Sequence, residues 1–370
     1  MKYTQLKYPG VNVSLALFDT NRQEAHAVLT PDHSGDAATQ LAEIVNAANN
    51  LIKDTGLRPV FKRYLLSDAS CQWELLPEKE DCASCILQQS PLDGTKGALL
   101  MLLEKDADYQ NVGDGLWKNS RGRIWVGEME SVVPEYSQTM TIDYLERLSH
   151  RLSEYGASLL DHCIRTWFFV RDIDNNYAGV VSGRNAVFNR RGLTPQTHFI
   201  ASTGIAGQSP IPERSVSFNA FADTGLEQSQ ISFIHGKTHL NPTYEYGVAF
   251  ERGTAVDYGD RRHVYISGTA SIDNKGNIVA PGDIHAQTLR MIENISVLLK
   301  EAECEWNNVA HMIVYLRDIS DYQTVKGMMD EKFPDIPKVI VLAPVCRTGW
   351  LVETECMAIK PCEHACYDPF

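Results

Sequence analysis

Two segments of the chain repeat nearly the same order of hydrophobic and polar positions. Residues 263–322 begin with an apolar run that ends near Gly268, continue into an amphipathic stretch opened by Gln287-Thr288, and reach a β-branched run followed by Arg-Asp-Ile. Residues 122–177 repeat that order. Apolar residues that recur every three or four positions predict helices, and short β-branched or aromatic runs predict buried strands. The pattern therefore predicts that one structural unit occurs twice.

A second helix and a closing strand follow in each copy, so the full order is strand pair, helix, strand, helix and strand. That order predicts an α+β fold in which two helices cover one face of a mixed, mostly antiparallel sheet. We expect two such units in tandem, with an N-terminal domain over residues 1–225 and a C-terminal domain over residues 226–370. Residues 1–60 match neither copy and are expected to extend the N-terminal domain.

The charge and composition of the chain restrict its partners. The 370 residues carry a formal net charge of -13, which argues against nucleic-acid binding because such binding needs a basic face. No stretch approaches the roughly 18 consecutive apolar residues of a membrane span. The N-terminal segment also lacks the apolar centre of a signal peptide. We therefore expect a cytoplasmic protein with neither a nucleic-acid nor a membrane partner.

The nine cysteines are an odd number, and a chain without a secretory signal is expected to keep free thiols in a reducing compartment. Cys82-Ala-Ser-Cys85 and Cys362-Glu-His-Ala-Cys366 have spacings that would suit zinc or a disulfide. No further His or Cys cluster in the sequence completes either site. Free thiols are the preferred interpretation, a disulfide between the last two cysteines stays open, and we expect no metal site.

The last predicted strand, "LVETECMAI", carries two carboxylates between apolar residues. Glu353 and Glu355 are two residues apart, so both lie on one face of the strand. If that face is buried, desolvation raises the pKa of a carboxyl and makes it a usable general acid near neutral pH. If that face is solvated, the two glutamates are ordinary surface charges.

The neighbourhood of this strand adds further polar chemistry. Arg347 would neutralise a carboxylate or hold one from a substrate, and Cys346 lacks a partner base that would make it a nucleophile. The corresponding strand of the earlier copy has Ser217 and Asn219 instead of the glutamates. We therefore place the chemistry in the later copy and expect the earlier copy to contribute only walls of the site.

A second group of candidate residues lies just before the later copy, in residues 238–256. Tyr246 and Arg252 in this segment suit recognition of an anion that contains an unsaturated ring. An ordered connection between the two domains explains the same residues without a ligand. The chain contains neither a dinucleotide fingerprint in a strand-to-helix context nor a phosphate-binding P-loop.

Several motifs of the later copy resemble a known family. The stretches "YISGTASID", "GDIHAQT", "MIVYLRDISDY" and "LVETECMAI" resemble the Rid (YjgF-type) superfamily over residues 263–359. Residues 122–221 resemble a degenerate copy of the same unit. The fused pair is most similar to the chorismatases, because "CR" precedes "LVE" and an "NP…YG…F-x-R" stretch occupies residues 241–252. This resemblance implies two tandem Rid-like (chorismate-mutase-like) units.

The resemblance to chorismatases also implies roles for individual residues. Glu353 falls at the acidic position that would protonate an enolpyruvyl methylene, after which water attacks and the ether breaks to release pyruvate. Arg347 and Arg252 would hold carboxylates of a small anionic metabolite, with Tyr246 nearby. A pair of positions, Gly268 and Cys346, resembles the subgroup whose product aromatises to 3-hydroxybenzoate. No cofactor is implied.

Two alternative functions remain open from the sequence. Imine-hydrolysing Rid enzymes use an arginine just after the proline that ends the second helix, and this chain has Pro337 followed by Lys338 at that place. Lysine cannot form the bidentate clamp on a carboxylate, which disfavours the imine hydrolase unless another arginine lines the pocket. The other alternative is a Rid-like metabolite-binding protein without catalysis. The charge disfavours the ribonuclease activity attached to the family name.

Rid units usually assemble as trimers whose ligand sites lie between neighbouring units. Since two units in one chain complete such a ring only imperfectly, the resemblance implies a homo-oligomer, and a homotrimer is expected.

Overall fold

The computed structural model describes residues 1–20, 22–129 and 136–370. In this part of the chain the fold is α+β, with three mixed sheets of six strands each and seven α-helices. The expected α+β class is confirmed, but the expected number of units is wrong. Residues 2–104, which include the supposed extension, form a complete first unit. The sequence repeat does not extend visibly to this unit, because Ser67-Asp68 follows its fourth strand, whereas Arg-Asp-Ile follows that strand in the other two units.

The first unit places a long helix and a one-turn helix between its strands. Its elements are β1 (Lys2–Tyr8), β2 (Val11–Phe18), β3 (Glu24–Pro31), α1 (Ala37–Thr55), β4 (Arg58–Leu66), α2 (Ala69–Gln72), β5 (Ala83–Gln88) and β6 (Gly97–Glu104). Asp36 caps α1 by accepting a hydrogen bond from the Thr39 amide, and Gly56 ends the helix at a φ of 67°.

The second unit repeats this order with two long helices. Its elements are β7 (Gln110–Gly113), β8 (Leu116–Lys118), β9 (Arg123–Val126), α3 (Ser137–Ser153), α4 (Leu159–His162), β10 (Cys163–Val170), α5 (Ile173–Arg190), β11 (Ala201–Ala206) and β12 (Val216–Asp223). The α3 helix carries the Gln-Thr pair in its first turn, as the sequence pattern predicts.

The third unit is the later copy recognised in the sequence. Its elements are β13 (Ile231–Ile234), β14 (Gly253–Asp257), β15 (Arg261–Ala270), α6 (Ile284–Glu301), β16 (Val309–Leu316), α7 (Tyr322–Lys332), β17 (Lys338–Leu342) and β18 (Val352–Pro361). A turn at Asn274-Lys275-Gly276 connects Ile272 and Ile278, which form a short antiparallel bridge. No helix in the described ranges is long and apolar enough to cross a membrane.

All three sheets have the same topology. Within each unit the first three strands form an antiparallel meander, and the last strand lies between the third and the fourth. The fourth and fifth strands pair in parallel across a helical crossover, as in β4–β5, β10–β11 and β16–β17. Every residue of β10 and β16 is buried, because helices cover one face of each sheet and the other units cover the opposite face.

The three sheets pack against one another around a common junction. β9 lies against β5, β15 against β11, and β3 against β16, so each unit contacts both of the others. A β-bulge precedes an equivalent residue in the fourth strand of each unit: Phe61, Arg165 and His311. The three units are therefore arranged as a pseudo-threefold ring within a single chain.

The pairing register also defines equivalent positions in the closing strands. Counted from the bulges, Ala98, Ser217 and Glu353 occupy one position, opposite Leu65, Phe169 and Tyr315 respectively. This register reproduces the alignment of Ser217 with Glu353 made from the sequence. A carboxylate occurs at this position in the third unit alone among the three.

Candidate active site

One cleft between the second and third units contains all six residues proposed from the sequence. The cleft is open to solvent, and its empty space, counted with the solvent at its mouth, is about 520 Å³. The six residues that line it are Tyr246, Arg252, Gly268, Cys346, Arg347 and Glu353. Residues about a hundred positions apart thus meet where β15, β18 and the segment before β14 face α5 and β11.

Glu353 is the acidic group of this cleft. Its strand, β18, is held between β15 and β16, where Glu353 pairs with Ala270 and Tyr315, and only 5% of the residue is exposed. No hydrogen bond to its carboxyl is formed by any residue that the structure describes. Burial, and secondly the charge of Glu355, raises the pKa of Glu353 to about 8, against the effect of Arg252 and Arg165. The carboxyl is therefore protonated at neutral pH and has a proton to donate.

Gly268 makes room for the Glu353 carboxyl. The register between β15 and β18 shifts between Ile266 and Thr269, so Gly268 lies in an irregular part of the strand pair. A Cβ atom at Gly268 would lie 2.1 Å from Glu353 Oε1. The absence of a side chain here is what allows the carboxyl to take its place in the cleft.

Glu355 belongs to a different environment although it shares a strand face with Glu353. It is 3% exposed and accepts hydrogen bonds from Arg165 Nη2 at 2.8 Å, Trp167 Nε1 at 2.9 Å and Arg63 Nη1 at 3.4 Å. The interpretation of the two glutamates as surface charges is wrong, since both are buried. Glu355 is a structural anion that connects all three units.

The two predicted arginines lie in the cleft beside Tyr246. Arg252 is buried and donates from Nη2 to the Asn241 carbonyl oxygen at 3.0 Å, while its Nε has no partner among the described residues. The Arg347 guanidinium carbon lies 4.5 Å from the centre of the Tyr246 ring and 4.8 Å from that of Trp350. Both guanidiniums therefore keep N–H groups for a ligand.

Cys346 also lines the cleft, where burial favours the neutral thiol over the thiolate. Burial, and next the proximity of Glu353, raises the pKa of Cys346 to about 12. A neutral thiol at this place contributes shape and weak polarity, and it is not an activated nucleophile.

The second unit contributes two residues that sequence reasoning missed. Tyr177 and Arg184 line the cleft from α5, where a spacing of seven residues places both on one helix face. Arg184 is 1% exposed, and its Nε and Nη2 have no hydrogen-bond partner among the described residues. A tyrosine and an arginine two turns apart on a predicted helix were a signal, although nothing in the sequence shows which cleft they face.

The lysine at the deaminase arginine position lies elsewhere. Lys338 donates to the Phe333 carbonyl oxygen at 2.9 Å and pairs with Asp330 at 3.1 Å, and it does not line the cleft. In the second unit, Ser202 occupies the strand position equivalent to Lys338, and Ser202 lines the cleft. Neither side chain can clamp a carboxylate in the bidentate manner.

Two groups of side chains within the described residues have metal-ligand spacing: Asp257, Cys362 and His364 form one, and Glu80, Asp81 and Cys82 form the other. Neither group lines the cleft. All nine cysteines are free, so the disulfide left open for the last two is not formed in this structure.

Comparisons with known proteins agree with this architecture. The sequence model of the family described as Endoribonuclease L-PSP matches residues 253–360. A RutC family protein of Pyrococcus abyssi is 33% identical over 99 residues, which cover 26% of this chain and 78% of that protein. A 2-iminobutanoate/2-iminopropanoate deaminase of Bos taurus is 33% identical over 101 residues, or 27% of this chain and 74% of that protein.

A solved structure described as a chorismatase extends the likeness to nearly the whole chain. It superimposes with a TM-score of 0.66 and covers 94% of this chain and 98% of its own. At 16% identity this similarity shows the fold alone. The three-unit architecture therefore has a solved counterpart, whereas the family model matches residues within the third unit alone.

Proposed function

The chain belongs to the Rid (YjgF-type) superfamily, and from that membership we propose that its cleft cleaves the enolpyruvyl ether of chorismate or a similar small cyclic dicarboxylate. The observation that carries the proposal is Glu353. A buried carboxyl whose pKa is raised to about 8 faces a cleft lined by arginines, with no described residue bonded to it. A protonated acid beside unpaired guanidiniums is the arrangement that protonation of an anionic vinyl ether requires.

The proposed reaction begins with proton transfer from Glu353 to the terminal methylene carbon of the enolpyruvyl group. The carbon that bears the ether oxygen becomes an oxocarbenium centre, and water adds to it. The resulting hemiketal expels the ring oxygen as a hydroxyl group, which gives pyruvate and a cyclohexadiene product. The proton lost by the water returns to the Glu353 carboxylate, so the acid is regenerated and no cofactor is needed.

The arginines supply the binding energy for the two carboxylates of such a substrate. Arg252 and Arg347 come from the third unit and Arg184 comes from the second, so a dianion would be held from both sides of the cleft. In a desolvated cleft, charge-assisted hydrogen bonds from guanidinium to carboxylate are roughly twice as strong as neutral ones. Tyr246 and Trp350 would border the unsaturated ring.

The test is pyruvate release from chorismate by the purified chain, measured beside Glu353→Gln. We expect wild-type turnover and a loss of about a hundredfold to ten-thousandfold in the variant, which is the usual contribution of a general acid. Glu363→Gln, which changes an exposed carboxyl near the end of β18, is the matched control and should retain full activity. Turnover that survives in Glu353→Gln would contradict the assigned acid.

A second candidate function is hydrolysis of imines or enamines. The observation that favours it is the set of arginines in the cleft, any of which could replace the carboxylate clamp that Lys338 cannot form. The deaminase among the relatives adds support for this chemistry. Ammonia release from 2-iminopropanoate without pyruvate release from chorismate would favour this candidate, and saturable binding of chorismate without turnover would favour a metabolite-binding protein.

A further inference from the structure

A small cavity lies at the junction of the three sheets, separate from the cleft that contains Glu353. Each unit contributes to its polar lining: Arg63 from β4, Arg165 from β10, and His311 and Glu355 from the third unit. Aromatic and aliphatic side chains form the rest of the wall. The cavity is large enough for one occupant of about the size of a water molecule.

The charges that line this cavity do not balance. Arg63 and Arg165 bring two guanidiniums, and Glu355 brings the single carboxylate. Burial, and next the nearby His26, holds the pKa of His311 well below its ordinary value, so this imidazole is neutral. The side chain of Cys85 faces Arg63, but burial raises the pKa of its thiol to about 11 and it adds no negative charge at neutral pH.

Glu353 does not correct the imbalance. Its carboxyl lines the other cleft, and with a pKa raised to about 8 it is protonated at neutral pH. Among the side chains that line the cavity, the two guanidiniums therefore face one carboxylate. Isolated buried charges are costly, because the protein interior solvates them far less than water does.

Of the two guanidiniums, Arg63 has the weaker set of hydrogen bonds. Its Nη1 lies 3.4 Å from Glu355 Oε1, its Nη2 lies 3.3 Å from Asn219 Oδ1, and its Nε has no partner among the described residues. Arg165, in contrast, is 2.8 Å from Glu355 and also donates to two hydroxyl groups. The incomplete hydrogen bonding at the junction therefore lies at Arg63, which has an N–H group free.

We propose that this cavity is a binding site for a small monovalent anion of the halide class, such as chloride, held by Arg63. A halide accepts hydrogen bonds from several N–H groups at once and also cancels the excess charge, whereas a water molecule provides the hydrogen bonds alone. The size of the cavity excludes an organic anion. The aromatic faces of Phe61, Trp167 and Phe169, each within 5.3 Å of the Arg63 guanidinium carbon, pack against the guanidinium itself.

The direct test is a crystal structure of the full chain grown in sodium bromide, with data collected at the bromine absorption edge. We expect an anomalous peak at the junction, in contact with Arg63 Nε. Bromide peaks at the protein surface would show that the crystal contains the ion. In their presence, a junction that holds only water, or no density, would overturn the proposal. A junction peak with no effect of halide on stability in solution would mean binding at crystal concentration only and would also overturn it.

Thermal unfolding gives the solution measurement. At constant ionic strength, replacing gluconate by chloride should raise the Tm of the wild-type chain, because a ligand that binds the folded state alone stabilises it. Arg63→Met removes the excess charge and should abolish this dependence, while Arg58→Met, which changes an exposed arginine on the same strand, should retain it. If Arg63→Met fails to fold, the wild-type bromide structure and chloride dependence decide alone, and equal Tm values in the two salts would refute the site.

Discussion

Glu353 and Glu355 show how strongly the immediate partners of a residue decide its role. Both are buried on one face of β18, two residues apart. Glu355 meets two guanidiniums and an indole N–H, so its negative charge is stabilised where it stands. Glu353 meets no donor among the described residues, so burial raises its pKa and favours the protonated form of the carboxyl. The same residue type is thus a structural anion at one position and a carboxyl with a raised pKa at the other.

The pH dependence of activity should reflect the proton on Glu353. Because the pKa of this carboxyl is raised to about 8, the acid is present below that pH and is lost above it. We expect kcat/KM for pyruvate release to be level up to about pH 7 and to fall about tenfold per pH unit well above pH 8. A profile that stays level to about pH 10 would contradict the assignment.

Folding stability provides a check on the same carboxyl that does not depend on activity. Between the ordinary pKa of glutamic acid and about 8, the folded state binds this proton and the unfolded state does not. The free energy of unfolding should therefore fall as pH rises through that window. Glu353→Gln should lack this component, so the wild type should lose stability relative to the variant between about pH 5 and pH 8 in urea titrations.

Gly268→Ala tests the space beside the acid. The added methyl would lie 2.1 Å from Glu353 Oε1, so the carboxyl must move out of its place. We expect kcat for pyruvate release to fall by about tenfold or more, since misplacing a reacting group by about 1 Å has effects of that order or larger. Gly327→Ala, on a helix with open space at the Cβ position, is the control. Unchanged kcat in Gly268→Ala would show that the carboxyl tolerates displacement.

Among the elements, α5 is the helix by which the second unit lines the cleft. It contributes Tyr177 and Arg184 to a cleft whose acidic residue, Glu353, comes from the third unit. Helix periodicity predicts that these two side chains share a face, but it does not predict the cleft that the face meets. The helix is therefore recognisable from the sequence, whereas its role depends on packing between units.

Arg184→Gln should weaken substrate binding more than chemistry. The guanidinium is buried with two nitrogen atoms unpaired among the described residues, and it lines the cleft from a different unit than the acid. We expect KM for chorismate to rise by about tenfold or more with a smaller change in kcat, because a lost charge-assisted hydrogen bond costs about 1.5–3 kcal/mol. Arg190→Gln changes an exposed arginine at the end of the same helix and should leave KM unchanged. An unchanged KM in Arg184→Gln would remove this arginine from the binding site.

The strands and helices of the second and third units follow their hydrophobic periods closely, which is why they were predictable. The first unit keeps the same periods but lacks the motif that ends the fourth strand in the other two. A search for residues shared between repeats therefore does not find the first unit, although α1 and β4 have clear local patterns. For the site, six residues of the third unit are predictable from the sequence, because they lie close together in the strand pattern or match a family motif. Tyr177 and Arg184 could not be placed, since the contact that brings them there has no local signature.

At the level of the whole molecule, the ring of three units bears on the expected homotrimer. That expectation rested on two units per chain, and the third unit fills the place that a neighbouring subunit was expected to take. The oligomeric state itself stays a prediction. What the structure does show is that both walls of the cleft come from one chain.

Activity per chain should consequently be independent of protein concentration. We expect the same kcat from the nanomolar to the micromolar range, with mass photometry reporting the species present at each dilution. A kcat that falls as an oligomer dissociates would show that a second chain contributes to the site. A mixture of Arg184→Gln and Glu353→Gln chains in equal amounts should likewise show only the activity of its Arg184→Gln chains, because both walls of the cleft come from one chain.

The pseudo-threefold ring has a consequence for what its centre can contain. In a ring of identical subunits, a residue at the axis appears three times, so an arginine there would place three guanidiniums face to face. A substitution in such a ring changes all three positions at once. In this chain the three equivalent positions hold Phe61, Arg165 and His311. Joining the units on one polypeptide frees each position to mutate alone. An unequal distribution of charge at the axis, and a carboxylate at one of three equivalent strand positions, are arrangements that exact symmetry would forbid.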